Sequence, residues 1–333
     1  MMPNDSYTHL FGELRVGAVT LRNRVVMPPM MTNVEADDPR SVEYYRRRAA
    51  GGVGLIILQA VMLDRFERPG FASRLSPLVG AVHAEGAAVA VQLFQPPEVG
   101  GDAVAPSPEQ GAREVATHEI EAMVESFVGA GRQCAEVGFD GVEPHGAHGF
   151  FLNWFFSPRR NRRSDRYGGS LRARMQFARE IIAGLRAEVG DRALLLYRHT
   201  PVEGDGGYTI NDTCTFLREL QQVGLDVADI SPSMPAGGAH AAWAAQVKSA
   251  VDLPVIAVGQ MGDPQRAEAA LAQGKCDLVA VGRQLIADPE WANKVREGRE
   301  GEITRCVECN EHCFGNLRRG EPISCSQNPD AGP

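Results

Sequence analysis

The sequence predicts an α/β fold, a (β/α)8 TIM barrel followed by a short cysteine-rich C-terminal segment. Short apolar runs typical of buried parallel strands alternate eight times with segments of helical spacing. The 333 residues fit one barrel, which commonly takes roughly 250 residues and more with insertions, plus a tail. An open doubly wound sheet is the alternative, but no GxGxxG signature follows the first predicted strand.

The predicted strands are continuous apolar runs, as expected where both faces of a sheet are covered. Glycine or proline lies at nearly every junction between a strand and a helix, where the chain must turn. The strands are predicted at 24–30, 53–59, 87–93, 138–145, 193–198, 226–231, 255–258 and 277–281. Their strict alternation with helices favours a closed parallel barrel.

The intervening helices are predicted from apolar spacing and from residues that cap helix ends. Ser41, Thr117 and Ser170 are the predicted N-caps of the first, third and fourth helices. The helices are predicted at 41–50, 76–84, 117–137, 171–189, 211–223, 239–250, 264–274 and 289–299.

Charge and terminal composition narrow the class of protein. The formal net charge of -8 argues against general binding to nucleic acid or to anionic membranes, because both reward a basic surface. The first residues, MMPNDSYTHLF, lack the basic and apolar regions of a secretory signal, and no run approaches the length of a membrane span. A cytoplasmic location is therefore expected.

The last two predicted strands both end in a glycine. Gly259 and Gly282 would let the backbone approach a ligand, and Arg283 adds a fixed positive charge. In barrels of this class, the loops after strands seven and eight frequently bind phosphate. Glycines that merely end strands are the alternative for this pair taken alone, and the number of preceding strands favours a phosphate cradle.

Two more polar residues lie at predicted carboxyl ends of strands, where barrel enzymes carry their active sites. Gln92 can both donate and accept hydrogen bonds at the pyrimidine edge of a flavin. Arg198 could stabilise the negative charge that develops there on reduction. Each could instead be a local hydrogen-bonding partner, so the prediction of an FMN site rests on their convergence with the cradle.

Four of the seven cysteines lie close together near the C-terminus. Cys306, Cys309 and Cys313 fall within eight residues, and Cys325 can close a set of four thiolates around an iron-sulfur cluster. Structural zinc is the alternative, because four thiolates also satisfy a tetrahedral zinc ion and His312 lies nearby. Spacing alone leaves both alternatives open.

Four long stretches of the chain match a known family: HLFGELRVGAVTLRNRVVMPPM, GGVGLIILQA, GFDGVEPHGAHGFFLNWFFSPRRNRRSDRYGGS and VAVGRQLIADPEW. They resemble the Old Yellow Enzyme family of FMN-dependent oxidoreductases. The cysteine spacing resembles the branch of 2,4-dienoyl-CoA reductase and trimethylamine dehydrogenase, which hold a 4Fe-4S cluster beside the FMN. The resemblance thus implies that the four clustered cysteines bind such a cluster.

The resemblance also implies individual roles. The residues implied to contact FMN are Pro29, Met30, Ala60, Gln92, Arg198, Gly259, Gln260, Gly282 and Arg283. His145 and His148 match the pair that hydrogen-bonds the acceptor oxygen of the substrate and so polarises it for hydride transfer from flavin N5. The chain would then divide into an FMN-binding barrel at 1–300 and a cluster-binding segment at 301–333.

The chain departs from the family pattern at two positions. Phe150 stands where the family usually has a proton-donating tyrosine, and losing a general acid typically costs about 10² to 10⁴-fold in rate. Gln95 replaces a histidine. The other candidate proton donors are Tyr167, Tyr208, His199 and His240. His240 is the catalytic candidate, because it lies in the region after strand six from which the dienoyl reductases supply a histidine.

The chain ends at Pro333, whereas multidomain relatives continue into FAD- and NAD(P)-binding domains. A separate electron-transfer protein or reductase subunit is therefore expected, unless the chain is a piece of a longer gene product. NAD(P)H would be the direct or indirect electron donor. The arginines of 159–166 are expected to form ion pairs in a solvated loop; attraction of an anionic substrate or of the electron partner is the alternative.

The leading hypothesis is an FMN- and 4Fe-4S-dependent oxidoreductase that reduces an activated C=C bond of an unsaturated carbonyl or acyl-CoA. An amine dehydrogenase or N-demethylase is the second hypothesis, and Phe150 favours it because amine oxidation needs no proton donor there. A non-catalytic electron-transfer subunit is the third, and the retained HGAH motif argues against it. An oligomer is compatible with the sequence.

Overall fold

The computed structural model describes residues 5–233 and 240–333. Eight strands form a closed barrel in which every neighbouring pair is parallel and the last strand pairs with the first. Named β1 to β8 in chain order, they are Val25–Met27, Leu55–Met62, Ala88–Phe94, Gly141–Gly146, Leu194–His199, Val227–Ile230, Val255–Val258 and Leu278–Ala280. The predicted barrel is confirmed, and each strand lies within or overlaps its predicted range.

Helices surround the barrel. Named α1 to α14, they are Pro39–Ala50, Leu63–Phe66, Phe71–Arg74, Ser76–Ala84, Thr117–Glu136, Phe151–Phe156, Leu171–Arg174, Gln176–Val189, Ile210–Gln222, His240–Lys248, Pro264–Ala272, Arg283–Ala287, Trp291–Arg296 and Phe314–Arg319. Residue 239, the predicted start of the sixth helix, lies outside the described residues. In the part of the chain that the structure covers, no helix is both long and apolar enough to cross a membrane.

Two of the three predicted N-caps are wrong. Asp38, not Ser41, caps α1, because the proline that follows Asp38 suits the first helical position. Ala116 occupies the N-cap position of α5, so Thr117 is already helical. Ser170 is confirmed as the cap of α7, where its hydroxyl accepts a hydrogen bond from a backbone N–H.

Apolar side chains fill the barrel interior. They come from the barrel strands and from a hairpin formed by Leu14–Val16 and Val19–Leu21. The buried members are Val16, Leu21, Val26, Leu55, Ile57, Ala90, Leu194, Leu196, Val227, Ile256, Leu278 and Ala280. A larger apolar cluster packs between the strands and the helices. Since the interior is a packed core, the polar strand ends are left to form a site at the carboxyl end of the barrel.

The C-terminal segment docks against the loop after β1. Asn33 donates its Nδ2 to the carbonyl oxygens of Leu317 at 3.0 Å and Glu321 at 2.9 Å. The backbone N–H of Ile323 donates to the carbonyl oxygen of Thr32 at 3.0 Å. These hydrogen bonds hold the cysteine-rich segment beside the carboxyl end of the barrel.

Candidate active site at the carboxyl end of the barrel

Five buried polar side chains from β3 to β6 and the loop after β6 meet at the carboxyl end of the barrel. Gln92 donates its Nε2 to Glu143 Oε2 at 2.6 Å. Arg198 donates its Nη1 to Asp229 Oδ2 at 2.8 Å and its Nη2 to Ser231 Oγ at 2.9 Å. Strand register explains the meeting, because Gln92 lies opposite Glu143 and Arg198 lies opposite Asp229. Two residues predicted to bind FMN thus belong to one polar cluster.

Two histidines lie beside this cluster. The rings of His145 and His148 meet edge to face, with centroids 5.3 Å apart. Nδ1 of His145 is buried and has no hydrogen-bond partner among the described residues. Burial and the charge of Arg198 lower the pKa of His148 to about 3. The pKa of His145 is lowered well below its ordinary value by burial, by His148 and by Arg198. Both imidazoles are therefore neutral near pH 7.

The hydrogen bonds of His148 indicate where its proton lies. Arg198 can only donate, so Ser231 Oγ accepts from it. His148 Nε2 lies 2.8 Å from Ser231 Oγ, and either atom can donate in this contact. We assign Ser231 as the donor, which puts the proton of the neutral imidazole on Nδ1.

Aromatic rings border the histidines. Phe94 and Phe150 meet edge to face at 5.2 Å between centroids, and the ring of His145 lies 5.1 Å from Phe150 and 5.9 Å from Phe94. Phe150 is 42% exposed. The position at which the family has a proton-donating tyrosine is therefore part of an apolar wall.

The loop after β7 has a strained backbone. Gly259 has a φ of 116° and Gln260 a φ of 57°. A Cβ added to Gly259 would lie 2.4 Å from Cγ of His240, so the loop and the first residue of α10 are in close contact. Nδ1 of His240 is buried without a hydrogen-bond partner among the described residues. His240 therefore lies against the predicted phosphate cradle.

The loop after β8 joins the cradle to two other parts of the chain. A Cβ added to Gly282 would lie 3.6 Å from Sδ of Met30, so this loop adjoins the loop after β1. Arg283 donates its Nη1 to Asn310 Oδ1 at 2.9 Å, and its Nη2 lies 3.4 Å from Glu308 Oε2. Arg283, which is predicted to bind phosphate, thus contacts the cysteine-rich segment.

The remaining residues predicted to contact FMN also lie at the carboxyl end of the barrel. Pro29 and Met30 follow β1, and Ala60 lies in β2 opposite Gln92. Pro29, Met30 and Ala60 are partly buried, whereas Gln92 is buried. A cavity of about 280 Å³ opens beside Ala60, and its lining includes Met31, Gln59, Met62 and Arg65.

The four C-terminal cysteines line one small cavity of about 20 Å³. Cys306, Cys309, Cys313 and Cys325 are all free thiols. Gln284, in α12, accepts a hydrogen bond from the backbone N–H of Cys306 at 3.0 Å. Within residues 5–233 and 240–333, no group of three or more histidine, cysteine or carboxylate side chains is arranged to hold a single metal ion. The iron-sulfur cluster stays a prediction.

Three of the candidate proton donors have other partners. The hydroxyl of Tyr167 donates to Glu180 Oε2 at 2.7 Å, and that of Tyr208 donates to the carbonyl oxygen of Thr200 at 3.1 Å. Both ring nitrogens of His199 are in hydrogen bonds, and the ring is fully buried. These three side chains support the structure around the site, which leaves His240 among the four candidates.

The two other unusual sequence features are structural. Gln95 donates its Nε2 to the carbonyl oxygen of Pro96, its own neighbour. In the arginine run, the expected ion pairs are present: Arg160 lies 2.6 Å from Glu109. Arg163 pairs with Asp165 at 2.6 Å but is buried rather than solvated.

Sequence reasoning missed Glu143, Asp229 and Asn33. The first two are acidic residues inside otherwise apolar strands, GVEPH and DVADIS, and that contrast is a signal for a buried polar site. Asn33 has a φ of 56°, a conformation that asparagine adopts more readily than most residues, but no sequence pattern predicts its contact with a segment almost 300 residues away.

Comparison with known proteins gives extensive matches to longer chains. NADH oxidase from Thermoanaerobacter brockii is 38% identical, over 98% of this chain and 56% of the relative. The solved structure of 2-naphthoyl-CoA reductase with 2-naphthoyl-CoA matches with a TM-score of 0.90 at 27% identity, over 98% of this chain and 57% of that one. Histamine dehydrogenase from Rhizobium sp. 4-9 matches with a TM-score of 0.88 at 25% identity, over 98% and 53%. The chain spans about half the length of these relatives.

The family match covers the whole barrel. The sequence pattern of the NADH:flavin oxidoreductase / NADH oxidase family fits residues 9–302, which include every barrel strand, both glycine loops and the mouth histidines. The chain therefore belongs to the NADH:flavin oxidoreductase / NADH oxidase family.

Proposed function

We propose that this protein is an FMN-dependent oxidoreductase that reduces an activated C=C bond of an unsaturated carbonyl or acyl-CoA. The observation that carries the proposal is the buried Gln92 and Arg198 cluster beside two neutral histidines, one of which has an unpartnered ring nitrogen. Family membership supports FMN as the cofactor. The similarity to a reductase solved with 2-naphthoyl-CoA supports an acyl-CoA as substrate.

The residues at the carboxyl end of the barrel fit FMN. Because Gln92 uses its amide N–H toward Glu143, its amide oxygen is available to accept from a ring N–H of the ligand. Arg198 is held in place by Asp229, so it presents a fixed cation. Gly259 lies at the loop proposed to hold the phosphate, with Gly282 and Arg283 in the neighbouring loop. When bound, FMN supplies the group that gives or takes a hydride.

His145 and His148 are proposed to bind the acceptor oxygen of the substrate. Nδ1–H of His148 is a donor whose tautomer is set by Ser231. Two hydrogen bonds to a carbonyl oxygen stabilise the negative charge that develops there when hydride reaches the β-carbon. His240 is kept as the candidate proton donor because Phe150 has no hydroxyl to donate, but its described contact is with Gly259 and not with His145 or His148.

We further propose that Cys306, Cys309, Cys313 and Cys325 hold a 4Fe-4S cluster. Their shared cavity supports this, and so does the hydrogen bond from Cys306 to Gln284 in α12. The chain would then comprise an FMN-binding barrel at 1–300 and a cluster-binding segment at 301–333. A separate protein or a further part of a longer chain would exchange electrons at the cluster, with NAD(P)H as the ultimate donor.

Amine oxidation is the second candidate function. The apolar wall formed by Phe94 and Phe150 favours it, because oxidation needs no proton donor at that position. The structural similarity to histamine dehydrogenase adds support.

The test combines cofactor analysis with kinetics on protein purified under argon. Flavin, iron and acid-labile sulfide are measured per chain; then 2-naphthoyl-CoA and a cinnamoyl thioester are assayed with a reduced dye, and histamine with an oxidised dye. We expect FMN and turnover of a thioester. Amine turnover alone would select the second function, and a folded, reconstituted protein without flavin would exclude both.

Variants assign the histidines. His145→Asn and His148→Asn are each expected to lower kcat/KM by about 10² to 10³-fold while flavin content stays unchanged. His118→Asn, on the exposed side of α5, is the matched control and should keep full activity. Loss of flavin together with activity would give these histidines a structural role instead.

A further inference from the structure

Two fully buried carboxylates lie on either side of Arg198. Glu143 is on β4 and Asp229 is on β6, and both have 0% exposure. Arg198 lies between them on β5, opposite Asp229 in one strand pair and opposite His145 in the other. The orientation of Gln92 described above uses the hydrogen bond to Glu143, but not the protonation state of Glu143.

Their hydrogen bonds leave two carboxylate oxygens without a donor. Oε2 of Glu143 accepts from Gln92, and Oδ2 of Asp229 accepts from Arg198. Oε1 of Glu143 and Oδ1 of Asp229 have no N–H or O–H partner among the described residues. The two carboxyl groups are within hydrogen-bonding contact of each other. Buried carboxylates that touch cannot both be ionised without a large electrostatic cost.

The charges around the pair lead to the same conclusion. Arg198 is the cation that contacts the pair, and it donates directly to Asp229. The neighbouring titratable groups on β4 and its loop, His145 and His148, are neutral near pH 7. One positive charge therefore balances one carboxylate, and Asp229 is the one that it contacts. Burial and the charge of Asp229 raise the pKa of Glu143 well above its ordinary range.

We propose that Glu143 is a protonated positioning residue that donates Oε1–H to Asp229 Oδ1 and fixes the amide of Gln92. With this proton in place, every polar atom of the pair has a partner, and the cluster formed with Arg198 has no net charge. The carbonyl oxygen Oε2 accepts from Gln92 and so turns the amide oxygen of Gln92 away from the pair. The effect of the Gln92 orientation on flavin binding rests on the proposed function. The proton between Glu143 and Asp229 does not depend on that function.

The experiment is infrared spectroscopy of the purified holoprotein, made once with ¹³C-labelled glutamate and once with ¹³C-labelled aspartate. A protonated carboxyl group gives a C=O stretch that is separate from those of carboxylates. We expect such a band at pH 7, shifted by labelled glutamate and not by labelled aspartate, and absent in Glu143→Gln. Glu85→Gln, whose carboxylate pairs with Arg46 at 2.6 Å, is the control and should keep the band.

Thermal unfolding provides the second measurement. Glu143→Gln keeps an uncharged group of the same shape and should lower Tm by less than about 2 °C, whereas Asp229→Asn leaves Arg198 without its counter-ion and should lower it by more than about 5 °C. Absence of the band in the unlabelled wild type, or a band shifted by labelled aspartate, would overturn the proposal. Flavin content and turnover, measured on the same samples, show separately whether the proposed function holds.

Discussion

His148 combines an unusual backbone with a heavily constrained side chain. Its φ of 60° lies in the left-handed region, which costs a non-glycine residue about 1 to 3 kcal/mol and is typical of functional sites. Its backbone N–H donates to Thr200 Oγ1 at 2.8 Å, and its ring contacts Ser231 Oγ. The direction of this imidazole is therefore set by backbone and side chain together, as a residue that orients a substrate requires.

The lowered pKa of His148 makes stability depend on pH in a defined direction. The unfolded chain binds a proton near pH 6.5 that the folded chain binds only near pH 3, so lowering the pH from 6.5 to 3 favours unfolding. Urea unfolding at several pH values should show that His148→Gln reduces this slope by up to about 1.4 kcal/mol per pH unit. His118→Gln is the control. Equal slopes for wild type and His148→Gln would mean that the imidazole is solvated.

At the scale of elements, the loop after β1 and the helix α12, which follows β8, bring the two candidate cofactor sites together. Asn33 binds the segment around α14, whereas Arg283 and Gln284 bind the loop that carries Cys306. Glu308, in that cysteine loop, has a φ of 57°, so backbone strain occurs there as well. The position of the cysteine segment is thus fixed by the same elements that border the mouth of the barrel.

The loop after β7 should tolerate no side chain at Gly259. A methyl group there would meet His240 at 2.4 Å, and a φ of 116° is strained for any L-residue. We expect Gly259→Ala to weaken FMN retention and lower Tm. Gly129→Ala, in α5 with no atom within 4 Å of the added Cβ, should instead raise stability by about 0.5 to 1 kcal/mol. Full FMN content in Gly259→Ala would show that this loop does not bind the phosphate.

The contact of Asn33 with the C-terminal segment can be separated from its backbone strain. Asn33→Gly removes the hydrogen bonds to Leu317 and Glu321 but suits a φ of 56°, whereas Asn33→Ala removes the bonds and keeps the strain. Hydrogen–deuterium exchange of Phe314–Arg319 should become faster in both variants, and the alanine variant should lose more stability. Unchanged exchange in both would mean that other contacts hold the segment.

At the scale of the whole molecule, the polar cluster lies at the carboxyl end of the barrel, and the cysteine segment lies beside that end. The barrel interior is packed with apolar side chains. Among the described residues, the polar side chains that could bind a redox cofactor therefore lie at the carboxyl end. The chain spans about half the length of NADH oxidase and 2-naphthoyl-CoA reductase, two of the relatives it matches.

Electron entry through the cysteine segment can be tested by removing one thiolate. Cys309→Ser should lose iron and sulfide, retain FMN and show much slower electron exchange with the partner. Cys214→Ser, at a buried thiol on α9, is the control for cysteine replacement and should behave as the wild type. Stopped-flow reduction by NADH is the measurement: reduction of the flavin at the full catalytic rate in Cys309→Ser would contradict the proposed electron path.

The sequence by itself determined the architecture of the barrel. Apolar strand runs and glycine-ended loops are local patterns, and the right-handed alternation of strands and helices leaves few ways to close the sheet. The same patterns indicated Gln92 and Arg198, because carboxyl ends of parallel strands meet at one end of a barrel. The resemblance of the HGAH motif to a known family indicated His145 as a site residue.

Only the tertiary structure decided which polar groups share the site. Strand register places Glu143 within reach of Gln92, and burial at that depth changes which carboxylate holds a proton. The hydroxyls of Tyr167 and Tyr208 proved to be bonded elsewhere, which sequence spacing cannot reveal. Partners in space and loss of solvent depend on contacts between residues far apart in the chain, and these contacts set the charges on which the proposed chemistry depends.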